Sequence, residues 1–473
     1  MRVLLVLLFL FSGVAQAQYV VVVDSLSQKP IPFVHIYDGT KGVIANNAGV
    51  FYWQESSAVD SLSFSCLGYA VKIIARSQLK DSIFLMPKAV ALTEVVVSNN
   101  TLSAEEIMDR VVATTEKNID FGLSSSEVFV HQTYVEDIHN MDIEIKKSTI
   151  PELGQAFVDE LLEKAPKKEV EESFSKSTWL RDSGGLTYHK LQVLQAARLS
   201  DSITKNNFDT MAKTMNELLK KRVKKNSYFK VKSGPIVTFK VKNPVQEVDT
   251  VAQQKKALTP KKYAENTLGF LQRIAYKDLF EDKRWILPFI DKRHNYQFTN
   301  EGIVYHLRVP VYKIRFSTRK KKGYTGYLLV DVDDFGVHQM VYQSNKHETR
   351  FKLFGLFFEE RLNNKRYTFV KNHLGKYTLY HIDEAYQQQM GIKRPITIIE
   401  KNKVVKGRNR QNVLAMDVHI AIKATELKSI HFNAITPISK KEFDAFSLKH
   451  SVLPKELYSK TEVKEYIPGL PID

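Results

Sequence analysis

His381-Ile382-Asp383-Glu384 has the H-x-x-E spacing that, with a distant histidine, offers zinc two nitrogens and a carboxylate and leaves one position open for water. The chain has thirteen histidines, so such a spacing arises readily by accident. His381 also closes an expected strand, and no peptidase signature surrounds it. Asp331-Val332-Asp333-Asp334-Phe335-Gly336 begins like a calcium loop, but the fifth and twelfth ligand places fall on Phe335 and Tyr342. That segment reads as a tight turn. The glycine patterns of nucleophile elbows and phosphate-binding loops are absent. Cys66, on an alternating apolar run, reads as an inert core residue. No catalytic residue, metal or cofactor is assigned.

What remains is positive charge. The net charge is +17, with three clusters: Lys220, Lys221, Arg222, Lys224 and Lys225; Arg319, Lys320, Lys321 and Lys322; and the 401–410 run with Lys406, Arg408 and Arg410. Tyr228, Phe229, Phe316 and Tyr324 lie close by in sequence. Such clusters suit an anionic lipid or glycan, or another envelope protein, although each also makes sense as a solvated face. Lys220–Lys225 would complement a helix C-terminus with no ligand at all. A shared binding face requires the clusters to converge. Residues 19–98 carry equal numbers of acidic and basic side chains, so the excess lies beyond residue 98.

The elements that must position these groups begin after a leader. Arg2, the apolar run Val3–Val14 and Ala15-Gln16-Ala17 form the charged start, apolar stretch and small-x-small site of a secretory signal, placed at 1–17. No later run is long and apolar enough for a membrane-spanning helix, so none is expected once the signal is removed. One cysteine allows no internal disulfide, which fits a bacterial envelope better than a eukaryotic secreted module. Export also makes nucleic acid an unsuitable partner for the basic surface.

Residues 19–98 read as about seven short strands with turn punctuation. Leu62, Phe64 and Cys66 alternate with Ser61, Ser63 and Ser65, the period of a half-buried strand. Asn46-Asn47-Ala48-Gly49 supplies a turn that tolerates positive φ. A small antiparallel sandwich of immunoglobulin-like type follows. In order, Lys-Pro-Ile-Pro-Phe-Val (29–34), Asn-Asn-Ala-Gly-Val-Phe (46–51), Leu-Ser-Phe-Ser-Cys-Leu-Gly-Tyr (62–69) and Leu-Thr-Glu-Val-Val-Val (92–97) resemble the carboxypeptidase-regulatory-like domain. The resemblance implies a transthyretin-like β-sandwich, common at the N-terminus of exported Bacteroidetes proteins, TonB-dependent receptors among them. Despite its name, that domain carries no peptidase site. The whole chain resembles longer envelope proteins that contain it.

Residues 101–473 are expected to form a mixed α/β body. Ser103-Ala104-Glu105-Glu106 has the form of a capping box, opening a helix with Ile107, Met108, Val111 and Thr115 on one face. A helical insertion is expected at about 151–225, from leucines and phenylalanines spaced by four. Residues 228–420 are β-rich, with Arg319–Gly323 as a charged hairpin tip, and 436–473 form an irregular or helical tail. The fold class is therefore α+β, mostly β: a sandwich, then a large antiparallel sheet, curved or an open barrel. The function expected is non-catalytic binding or scaffolding at the periplasm or outer membrane, through residues 228–420. A hydrolase with a dispersed site and an accessory of TonB-dependent uptake are the alternatives.

Overall fold

The computed structural model describes residues 18–31, 34–37, 42–45, 49–53, 61–66, 69–87, 102–181, 189–199, 213–224, 227–234, 237–242, 258–306, 309–345, 348–353, 355–372, 374–402, 412–447, 451–468 and 470. The leader, the expected strand at 94–97, Lys225, Lys406, Arg408 and Arg410 lie outside them.

The N-terminal strands are β1 (Gln18–Asp24), β2 (His35–Tyr37), β3 (Gly42–Ile44), β4 (Val50–Trp53), β5 (Ser61–Ser65), β6 (Lys72–Ala75) and β7 (Ser82–Leu85). They form two sheets, β4-β1-β7 and β3-β2-β5-β6. Val20, Val22, Ile36, Phe51, Leu62 and Phe64 are buried in one core, with Cys66 packed at its margin. β1 and β7 run parallel, an exception to the expected antiparallel order. Gly49 takes φ +72°, and a Cβ there would sit 2.7 Å from the Val22 carbonyl oxygen. Only glycine serves both needs.

The body is one 14-stranded sheet. Its strands are β8 (Ser124–Ser148), β9 (Lys168–Arg181), β10 (Lys190–Leu199), β11 (Ser227–Ser233), β12 (Val237–Lys242), β15 (Tyr296–His306), β16 (Val309–Thr318), β17 (Tyr324–Asp331), β18 (Val337–Ser344), β19 (Glu348–Leu353), β20 (Leu356–Lys371), β21 (Tyr377–Asn402), β22 (Val413–Pro437) and β23 (Lys455–Leu457). β13 (Phe280–Glu281) and β14 (Arg284–Trp285) form a separate hairpin. The main path runs β15-β16-β17-β18-β20-β21-β22-β8-β9-β10-β23, with β11–β12 joined to β21 and β19 to β20. The path has two ends, so the sheet is open and no barrel closes.

The sequence reading needs three corrections. Among the described residues, the expected helical insertion at 151–225 has helices at Gln155–Lys164 and 213–222, and the strands β9 and β10 lie between them. A bulge between Val193 and Gln195 shifts the parity of β10, so its apolar residues stop alternating and mimic helical spacing. The β-rich region is wider than 228–420, reaching from Ser124 to Pro437 and including a helix at Pro260–Gln272. Within the tail, β23 adds a parallel strand to β10.

β21, β22 and β8 are adjacent and 25 or 26 residues long, about 80 Å at ~3.3 Å per residue. Their near ends, around Val128, Ile382 and Ile430, are covered by helices Ala104–Ala113 and Pro260–Gln272 and by the 273–295 segment. The first helix has the expected capping box and buries Ile107, Met108 and Val111. Phe289 stacks on Phe316 at 4.2 Å and lies 4.9 Å from Tyr342. On the opposite face, Phe129, Phe174 and Leu457 pack against Val463 and Ile467.

The far ends have thinner cover. β9 leaves β8 after Asp137, so residues 138–148 form an edge. Gln155 blunts it: its Oε1 accepts from Ile145 N at 2.7 Å and its Nε2 donates to Ile143 O at 2.9 Å. On β21, β20 pairs as far as Ile392 and β11 takes over at Ile396. Pro395 stands in that gap, where its missing N–H breaks no ladder on the β20 or β11 side.

Candidate functional site

The zinc spacing fails on strand geometry. Successive residues of β21 point to opposite faces. His381 lies on the outer face, its ring 4.0 Å from that of His431. Glu384 projects to the helix-covered face, accepting from Lys428 Nζ at 3.0 Å and pairing with Lys365 at 3.2 Å. One ion cannot join His381 and Glu384.

The outer face does bring together hydrolase-type residues that no motif announced. His381 Nε2 is 2.9 Å from Asp383 Oδ1 and 3.2 Å from Ser429 Oγ, and Ser429 Oγ is 3.4 Å from His431 Nε2. His131 Nε2 is 2.9 Å from Glu172 Oε2, beside the same shallow hollow of about 400 Å³. Burial works against the Asp383 carboxylate, but the His381 hydrogen bond and the Arg366 charge outweigh it and hold its pKa below the ordinary value. A serine relay needs the two ring nitrogens to do different jobs: one donates to the carboxylate, the other takes the serine proton. Here Asp383 and Ser429 meet the same nitrogen. A nitrogen that donates to Asp383 has no lone pair left for the Ser429 proton. The arrangement is a polar seam across β21, β22 and β8.

Asp331–Gly336 is a turn, not a calcium loop. Asp331 Oδ1 accepts from Asp333 N at 2.9 Å. Asp331 Oδ2 meets His338 Nε2 at 3.0 Å, Lys371 Nζ at 3.2 Å and the Tyr377 hydroxyl at 3.0 Å. Burial would raise the Asp331 pKa; these donors reverse that and hold it far below the carboxylate range. A Cβ on Gly336 would overlap the Tyr377 ring, so the turn and this network require each other.

The charged clusters occupy different places. Lys220, Lys221, Arg222 and Lys224 are exposed at the end of helix 213–222, against the far ends of β21 and β22. Arg222 pairs with Glu152, and Asn412 Nδ2 donates to the Arg222 carbonyl at 3.0 Å. The strands flanking the third cluster stop at Asn402 and resume at Val413, at this same end. Arg319–Lys322 form the exposed β16–β17 tip, as expected. Following the register through Ser344 and Asn363, the tip is level with Tyr386. That is about 50 Å short of Asn402 along the strand. The described clusters lie far apart and do not converge on one site.

Beside Lys220–Lys224 lies a cavity of about 220 Å³ that no sequence motif marked. Ile150, Leu153, Leu219, Phe229, Val231, Ile398 and Leu414 line it, drawn from five elements. Its one carboxylate, Glu400, is 2% exposed. Glu400 accepts from Lys224 N at 3.0 Å, Ser227 Oγ and Asn412 Nδ2 at 2.6 Å. With its hydrogen bonds satisfied, Glu400 ties helix 213–222 to the sheet and leaves the cavity wall apolar.

No family model matches the chain, and no curated protein matches it. Among solved structures, it is similar to a LolA superfamily protein from Nitrosomonas europaea at 9% identity, over 72% of this chain and 98% of that one, with a TM-score of 0.20. The MucA/MucB complex of Pseudomonas aeruginosa aligns at 7% identity over 67% of this chain and 93% of the other, with a TM-score of 0.17. MucB alone gives 9%, 67%, 92% and 0.17. At these values the likeness carries neither fold nor function to this chain.

Proposed function

We propose that the chain is a non-catalytic binding protein of the bacterial envelope, exported by its leader to the periplasm or the outer membrane. In this reading the N-terminal sandwich is a carboxypeptidase-regulatory-like accessory domain. The far end of the large sheet holds an anionic amphiphile. The supporting observation is the apolar cavity beside helix 213–222, the end of which carries the exposed Lys220, Lys221 and Lys224. Its volume exceeds the ~150 Å³ hole that holds benzene in an apolar core, so it has room for part of an acyl chain. In this reading a carboxylate or phosphate headgroup that emerges beside helix 213–222 meets the lysines at its end. A hydrolase reading gains nothing from the histidine seam, where one ring nitrogen meets both Asp383 and Ser429. Among the described residues no helix is long and apolar enough to cross a membrane.

The test is a thermal-shift titration with lauric acid and with the uncharged alcohol of the same length. Both should raise Tm, the acid more. Lys220→Gln/Lys221→Gln should abolish the acid's advantage and leave the alcohol's effect intact. Val231→Phe, which fills the cavity, should abolish both. Equal shifts in the wild type and Val231→Phe would refute the proposal.

A further inference from the structure

We infer that the apolar face leading to the far-end cavity is part of the same site, and that the site takes a lipid with more than one acyl chain. Met390 and Ile398 lie on the same face of β21 as Glu384, because alternate residues of a strand share a face. The strand register sets apolar side chains in rows across that face. Ile138, Ile422, Met390, Phe358 and Phe351 stand side by side on β8, β22, β21, β20 and β19. Met141, Ile420, Ile392, Leu356 and Leu353 form the next row. Farther along, Met416 and Ile396 lead to Leu414 and Ile398, which line the cavity. The opposite face of these strands is polar, with Asp142, His419 and Lys393 in one row and Glu144 and Asp417 in another. A two-faced antiparallel sheet ordinarily keeps its apolar face on a core. Here neither row belongs to the buried cores of the described residues. Phe351, Leu353 and Leu356 are 43%, 50% and 38% exposed, and the rest of both rows is half-buried.

Three observations favour hydrocarbon as the occupant. The two rows contain no side-chain nitrogen or oxygen, whereas protein interfaces carry about one hydrogen bond per 100–200 Å². The nearest polar side chain on this face, Arg394, is buried and donates to the Ser233 carbonyl. Met141, Met390 and Met416 all stand on this face. Unbranched methionines adapt to an occupant of no fixed shape. The dimensions set the number of chains. Five strands at ~4.8 Å make the face about 19 Å wide, and Met390 to Ile398 spans about 26 Å at ~3.3 Å per residue. An acyl chain spans half of the ~30 Å bilayer core, about 15 Å. One chain fits the length and leaves most of the width open; several side by side cover it. This inference deepens the amphiphile reading and rests on it for the cavity and the headgroup end.

Lipid capture by the full chain tests it. The protein is incubated with vesicles of dilauroyl phosphatidylglycerol, the vesicles are removed by flotation, and lipid phosphate is counted in the protein left in solution. The wild type should carry lipid away. Leu353→Gln/Leu356→Gln, at two exposed positions, should capture about tenfold less, with the Tm of the ligand-free protein unchanged. The same variant should keep the Tm shift with lauric acid, which reads the cavity alone. Val231→Phe should lose that shift and still capture some phospholipid. A failed cavity and a failed face therefore give different results. Equal capture by the wild type and the Leu353/Leu356 variant would overturn the inference. So would protein that floats with the vesicles and extracts nothing, which would make the face a membrane-docking surface. A ligand-free dimer that the same variant dissociates would also overturn it, with a second copy as the cover.

Discussion

The near and far halves of the same sheet share strands, yet they are built differently. In the near half, residues of β8, β21 and β22 meet helices on one face and the C-terminal helix or polar seam on the other. β8 is mostly buried from Ser124 to Val130 and half-buried or exposed beyond. In the far half the hydrogen-bond ladder continues, but its cover among the described residues shrinks to Gln155–Lys164, helix 213–222 and β11–β12. A ladder needs only a partner strand, whereas a filled core needs converging side chains from several elements. Where cover runs short, a hole with room for a ligand remains.

The largest test of this contrast is a pair of truncations. Phe289→Ala should cost about 3–5 kcal/mol in urea unfolding, because its ring is enclosed by Phe316, Tyr296 and Tyr342. Phe229→Ala should cost clearly less, since one side of its ring already faces the far-end cavity. Equal costs would mean that the two halves are packed alike.

Acid offers the second test. Burial first, and the neighbouring His338 second, push the His306 pKa down to about 4. In the unfolded chain it titrates near ~6.5. Unfolding therefore takes up a proton between these values. The contribution is complete above about pH 6.5 and is lost as pH falls toward 4, amounting to roughly 1–3 kcal/mol. Near-half stability should decline over that window, and His306→Gln should flatten the slope. Hydrogen exchange read separately in the two halves would locate the loss. A loss confined to the far half would contradict the comparison.

The smallest expected effect is a gain. Val231→Phe should stabilise the ligand-free protein by about 0.5–2 kcal/mol in thermal unfolding, as cavity-filling changes do. A loss of stability would show that the far-end space is too tight to fill.

Short-range signals were legible. Ser103 and Glu106 form the predicted capping box, Gly49 takes the positive φ expected of its turn, and Arg319–Gly323 is the hairpin tip. Each depends on residues within a few positions of one another. The β-rich pattern did not mark where β19 ends and β20 begins, a reversal that turns at Gly355 with φ +75°. The far-end cavity left no local trace. Ile150, Leu219, Phe229, Ile398 and Leu414 are apolar residues like many others until five elements bring them together.

The sequence by itself determined the mostly β character, the turns and caps, the uneven charge and the lack of any disulfide within the chain. These follow from composition and from backbone preferences that act over a few residues. Tertiary structure alone decided that β21 runs unbroken past Pro395, by handing it from β20 to β11. It also decided which neighbours His381 and Glu384 each meet on their two faces, and that the Lys220 and Arg319 clusters serve different places. The physical reason is common to all three. A strand's partners and the face each side chain meets are set by contacts between residues far apart in the chain, and their energies are not written in any short stretch of it.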